Sequence, residues 1–225
     1  MKYALTLLVS LAIAPGALAE TLESVLDKNS VKVIKEMEEA RFQNVSLTTH
    51  ITSAGIVYYD AKANVLFHST PMEVKDGQFE ALDKELTTGL LSSLTATIEY
   101  KADNERAVMY QFSDITCSWC AKAHSEIPRL NEAGVTVVVI PFSRMGADHV
   151  VAKQTATILN AIDPKGAMAQ AFAGAQVPQS HDVPAELVMN QNMASILGVT
   201  GTPASFLNGV KIDGYLPSST IISAL

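Results

Sequence analysis

The chain has 225 residues, 48% of them hydrophobic, a formal net charge of −7 and only 2 cysteines. An acidic chain makes a poor nucleic-acid ligand, because phosphates need clustered Lys and Arg, and it gains nothing from an anionic membrane surface. Its length and aliphatic content suit one ordinary core plus a smaller unit.

The opening residues, MKYALTLLVSLAIAPGALA, read as a secretory signal over 1–19. Lys2 is the positive start, Leu5 to Ala14 the apolar run, and Ala17-Leu18-Ala19 a small-x-small cleavage site. A membrane span needs about 20 apolar residues, so this run is too short for an anchor, and no later segment is longer. Removal after Ala19 takes Lys2 with it, moving the net charge from −7 to −8. The product is expected outside the cytoplasm.

Residues 20–78 form a first unit. Leu22, Val25 and Leu26 share a helical face, whereas SVKVIKEMEEARF is ambiguous: Val31 and Val33 alternate like a strand, and Val33, Ile34 and Met37 fit a helix. VSLTTHIT, GIVYYD and NVLFHST then carry strand signals, giving a thin antiparallel sheet. Such a small unit buries little surface and leaves its edge strands open. Pairing with a second copy is the remedy, so a homodimer is expected through this region. Residues 79–97 place Phe79, Leu82, Leu86 and Leu90 at helical spacing, despite a cost of about 1 kcal/mol for Gly89 relative to Ala. A linker helix is expected there, with a core helix of the first unit as the alternative.

From residue 98 to 225 the pattern changes. RAVMYQF is a strand, Asp114 or Thr116 can cap a helix that begins near Cys117 and runs to about Asn131, and Gly134 suits its C-terminal cap. VTVVVIP follows as a strand buried on both faces. This β-α-β unit implies parallel pairing. An Ala/Met-rich stretch over about 147–197 holds helical segments broken at Asp163-Pro164 and Val177-Pro178. ASFL-NG-VKI is a hairpin, since Asn-Gly fits a two-residue turn, and a short helix from Pro217 to Leu225 ends the chain.

The two cysteines lie in SDITCSWCAKAH, at the strand-to-helix junction. A structural disulfide stabilises mainly by closing a long loop, and a pair two residues apart closes almost none. Zinc needs about four ligands. His50, His68, His124, His149 and His181 show no ligand-pair spacing, and no third ligand accompanies Cys120 and His124, so no metal or organic cofactor is expected. A reactive pair fits better. A free thiol with a pKa near 8.5 is only about 3% ionised at pH 7. The free N–H groups and partial positive charge of a helix N-terminus favour the anion. Cys117 is therefore the expected exposed nucleophile and Cys120, one turn in, the buried resolving thiol. His124 is expected on the surface of that helix.

FSDITCSWCAKAH, the later GVTGTPASFL and the early SAGIVYYD…STPMEV together resemble the DsbC/DsbG family of periplasmic disulfide isomerases over nearly all of the mature chain. The resemblance implies an α/β protein: a small α+β N-terminal dimerisation domain, a linker helix, and a thioredoxin fold with a helical insertion. It implies that Pro203 is cis, although only about 5–6% of X-Pro bonds are, and that Thr202 pairs by its backbone with substrate peptide. Two departures stand out. The intervening dipeptide is Ser118-Trp119 rather than Gly-Tyr or Pro-Tyr; Ser118 could donate to the thiolate, and Trp119 could offer an apolar platform or pack on its own domain. The chain also lacks the cysteines of the structural disulfide found in the insertion of DsbC-type members. Met72, Met109, Met145, Met168, Met189 and Met193 are more often core fillers than lining for a client site.

The expected function is isomerisation of wrong disulfides in exported proteins, with a membrane thiol reductant of the DsbD type as electron donor. The rivals are a DsbG-like reductase of sulfenylated cysteines, a net thiol oxidant and a holdase chaperone.

Overall fold

The computed structural model describes residues 22–42, 45–67, 72–75, 78–81, 83–179 and 182–225. The expected signal over 1–19 lies outside these residues, as do His68 and His181.

The first half is built from hairpins. Helix α1 (Leu22–Lys28) leads into β1 (Val33–Phe42), β2 (Val45–Thr52), β3 (Gly55–Asp60) and β4 (Val65–Phe67), an antiparallel sheet in chain order. The ambiguous segment is thus a strand. Its pairing with β2, from Val33 opposite Thr52 to Phe42 opposite Val45, outweighs the helical spacing of three apolar residues. Among the described residues, Leu47 and Tyr58 form a buried cluster here, with Ile56 against them. A second hairpin follows, β5 (Met72–Lys75) with β6 (Gln78–Ala81).

That hairpin corrects the expected start of the helix at 79. Phe79 to Ala81 belong to β6, and the helix is the shorter α2 (Lys84–Ser92). Strand pairing of Val74 with Phe79 takes the residues that helical spacing had claimed. Leu91, on α2, is buried with Leu94 among Phe112, Ile140 and Phe206 of the second half, so the helix packs into that core rather than the first.

The second half is centred on a mixed sheet. Strands β7 (Ile98–Tyr100), β8 (Ala107–Ser113), β9 (Val135–Pro141), β10 (Ala204–Leu207) and β11 (Val210–Asp213) lie in the order β11-β10-β8-β9-β7. Only β8 and β9 are parallel, joined through α3 (Ser118–Ser125) and α4 (Ile127–Glu132). One helix had been expected where these two stand. Pro128, in the first turn of α4, offers no N–H and crowds the preceding turn, so the run breaks at Glu126.

Side-chain alternation on the strands separates two cores, one on each face. Met109 of β8 and Val135, Val137 and Val139 of β9 face one cluster, with Ile127 and Leu130 of α4. That face is completed by α5 (Val150–Leu159), α6 (Pro164–Phe172) and α8 (Ser218–Ser223), through Ile158, Met168 and Ile221. Phe112 and Ile140 point to the other face, covered by α2 and by Met193 and Ala194 of α7 (Ala185–Ile196). Helices α5 to α7 lie within the stretch where an insertion was expected. Met109, Met168 and Met193 are core residues, whereas Met145 and Met189 are exposed. Among the described residues, no helix is long and apolar enough to cross a membrane.

Candidate active site

The carboxyl end of β8 delivers the chain to Cys117, which is itself the N-cap of α3. Its backbone is extended (φ −93°, ψ 116°), and its Sγ accepts the Cys120 N–H at 3.3 Å. A capping side chain fills the orphan donors of a helix start, and here the cap is the sulfur. Asp114 and Thr116 were the expected caps. Instead the buried Asp114 carboxylate accepts the Thr116 N–H (2.7 Å), the Thr116 hydroxyl (2.6 Å) and the Arg144 N–H (2.8 Å), holding the loop before the helix. Because Asp114 is engaged there, the helix amide is left to the thiol.

The Thr202–Pro203 peptide bond is cis, and the Cys117 thiol donates to the Thr202 carbonyl at 3.2 Å. The nucleophile is therefore less open than expected: Cys117 is 6% exposed and Cys120 0%. Both are free thiols.

The surroundings push the two thiols apart. Burial raises the pKa of Cys117, but hydrogen bonding from Thr202, from Cys120 and from the Trp119 and Cys120 amides outweighs it, so the net shift is downward. Burial dominates at Cys120 and pushes it up to about 12, against smaller opposing contributions from Thr202, the Asp114 amide and Ser113. The Thr202 hydroxyl is buried with no hydrogen-bond partner in the dithiol, and donation from it favours the anion of either sulfur. Its side chain was missed in the sequence, where only its backbone was considered.

The dipeptide between the cysteines divides its roles. Ser118 is exposed and does not join the donors around the sulfur, which are backbone amides and Thr202. Trp119 is 59% exposed, with its ring stacked on Tyr215 at 5.4 Å between centroids and 23° between planes. The stack on Tyr215 is the expected packing on its own domain, and it leaves more than half of the side chain open to solvent. Tyr215 was not singled out in the sequence; it stands far along the chain, and nothing local marks it.

His124 is half-buried rather than openly exposed on its helix. Its Nε2 shares a 2.9 Å hydrogen bond with the Tyr100 hydroxyl, its ring tilts against Phe172 at 5.0 Å, and burial holds its pKa below the ordinary value. It ties α3 to the insertion rather than adding positive charge beside the thiol. No group of three or more His, Cys, Asp or Glu able to hold a metal occurs among the described residues.

A sulfur stabilised as an anion at a helix N-terminus, with a second thiol buried one turn behind it, defines a thiol-disulfide oxidoreductase. A family model described as thioredoxin-like domain matches residues 95–225. The thiol:disulfide interchange protein DsbC of Haemophilus influenzae is 32% identical over 181 residues, 80% of this chain and 79% of that protein. DsbC of Escherichia coli K12 is 29% identical over 215 residues, 94% of this chain and 90% of that protein. Among solved structures, Proteus mirabilis ScsC in a compact conformation is similar at a TM-score of 0.49 and 18% identity, covering 67% of this chain and 80% of that one. The chain belongs to the DsbC family of thiol:disulfide interchange proteins, and its chemistry is thiol-disulfide exchange.

Proposed function

We propose that this protein is a periplasmic disulfide isomerase that rearranges wrong disulfides in exported proteins. The Cys117 thiolate attacks one sulfur of a client disulfide. The client S–S bond breaks, a Cys117–client bond forms, and the second client sulfur leaves as a thiolate. That thiolate can attack another client disulfide, and the thiolate so released finally displaces Cys117, giving rearrangement with no net electron transfer. Alternatively Cys120 loses its proton and attacks Cys117 Sγ. The client then leaves with its thiol, and two electrons pass from the protein to the client. A membrane donor of the DsbD type would return them.

The observation that carries the isomerase reading is the opposite push on the two thiols. The nucleophile is favoured as an anion, while Cys120, pushed up to about 12, is almost wholly protonated near neutral pH. Thiolate is the attacking species, so a buried Cys120 that keeps its proton resolves the adduct slowly and leaves the client time to rearrange while tethered. Thr202, whose carbonyl sits at the Cys117 sulfur, and Pro203 form the strand end beside which the client backbone would lie.

Reactivation of scrambled ribonuclease tests the reading. Wild-type protein should accelerate it beyond glutathione alone; Cys117→Ala should abolish the gain; Cys120→Ala should accumulate client adducts visible without reductant. No gain over glutathione removes the isomerase assignment, and equal reactivation by a protein lacking both cysteines favours holding over chemistry.

We also propose that the first half makes the protein a homodimer. The described side chains of its two edge strands support this. Val33 and Ile34 on β1 and Val65, Leu66 and Phe67 on β4 are apolar and exposed, at sheet edges that offer backbone groups to another strand.

A further inference from the structure

The single tryptophan of the chain stands between the two reactive cysteines, more than half exposed, yet its ring is held. Tyr215 stacks on the indole, and the Tyr215 hydroxyl donates to the Glu126 carboxylate. The other oxygen of that carboxylate accepts the Ser218 N–H at 2.5 Å, at the start of α8. Burial opposes ionisation of Glu126, but these donors and Lys122 outweigh it and favour the carboxylate, so the acceptor persists across ordinary pH. Glu126 caps the far end of α3. The helix that begins with the nucleophile is thus fastened at its other end to the C-terminal segment, and Tyr215 carries that fastening back to Trp119.

We propose that Trp119 and Tyr215 form a fixed aromatic shelf that selects clients carrying an apolar or aromatic side chain next to the disulfide under attack. The occupant is set by the chemistry. A client joined to Cys117 Sγ must place its neighbouring residues within reach of the side chain two positions on. An indole held in one orientation loses little freedom on contact, so more of the contact energy is realised. Residues flanking a native disulfide are commonly buried, whereas a wrongly paired chain leaves such residues in water. A shelf of this kind favours misfolded over native clients without reading any sequence. This inference rests on the exchange chemistry proposed above and adds the class of client segment to it.

The test uses the full protein with Cys120→Ala, so that attack stops at the mixed disulfide. The probes are two short peptides, each with one cysteine joined to glutathione, flanked by Leu and Phe in one and by Gly and Ser in the other. Attack by Cys117 joins the peptide sulfur to the protein and releases glutathione thiolate, which is measured. The apolar peptide should react about fivefold faster than the polar one, the scale of an aromatic contact. The ratio should fall to about one in Trp119→Ala and Tyr215→Ala, and Tyr215→Phe, which keeps the stack but loses the Glu126 bond, should restore part of it. Because Trp119 is the only indole, its emission should also shift in Tyr215→Ala and move back towards the parent in Tyr215→Phe. A parent ratio of one, or an unchanged ratio in Tyr215→Ala, overturns the shelf. An intact ratio with failed ribonuclease reactivation removes the isomerase reading alone, so the two failures are distinguishable.

Discussion

At the scale of single residues, the site works by assigning each donor to one acceptor. Asp114 takes the Thr116 amide before α3, which leaves the Cys120 amide to the Cys117 sulfur. Donation from the Thr202 hydroxyl favours the anion of either sulfur, and Thr202→Val removes that donor while keeping size and backbone. Its Cys117 should titrate at a higher pH than wild type, read by thiolate absorbance; an unchanged midpoint would mean the amides alone set the shift. His124 gives a second prediction. Burial depresses its pKa below 6.5, so the unfolded chain takes up a proton that the folded chain refuses. This contribution to stability is complete above pH 6.5 and declines as pH falls through that value, until the folded ring itself is protonated. His124→Gln should therefore show a smaller loss of Tm between neutral pH and pH 5 than wild type; equal losses would contradict it. The two cysteines and their order of roles were legible in the sequence, because a strand-to-helix junction is a local pattern. Tyr215 and the burial of His124 were not. Tyr215 meets Glu126 across 89 residues, and no periodicity encodes such a contact.

Elements in the second half could be read from the sequence where local chemistry and tertiary demand agree. The Asn208-Gly209 turn joins β10 to β11 as its sequence requires, with both residues at positive φ (50° and 80°). Gly209 has a further duty that the hairpin pattern does not reveal: a Cβ there would stand 2.6 Å from both Cα and the carbonyl oxygen of Lys84, the first residue of α2. Gly209→Ala should cost about 1–3 kcal/mol, by strain at positive φ and by displacing α2 from the core it covers. Urea unfolding measures this, and a loss below about 0.5 kcal/mol would show that α2 is not seated on that turn. Helical spacing of Phe79 and Leu82 competes with the Asp-Gly hairpin signal of MEVK-DG-QFEA, and strand pairing wins, so α2 starts only at Lys84. The strand nature of β1 was undecidable from periodicity alone and follows from its partner β2.

For the whole molecule, a thin sheet precedes a double-faced α/β core, and the chemistry sits where that core's central strand ends. The order of parts was readable because the hydrophobic pattern switches from short alternating runs to a continuous buried run at β9. Assembly is testable at the exposed edge of β4. Replacing Leu66 with Lys and Phe67 with Glu charges that edge without touching the cysteines, and should convert a dimer to a monomer by sedimentation; a mass unchanged from wild type would contradict pairing through β4. The central claim, however, is that the helix start makes Cys117 an anion. Alkylation of Cys117 by iodoacetamide across pH, in protein carrying Cys120→Ala, measures it most directly. The rate should reach half its plateau well below the free-thiol value of about 8.5, and a midpoint at or above that value would contradict the account.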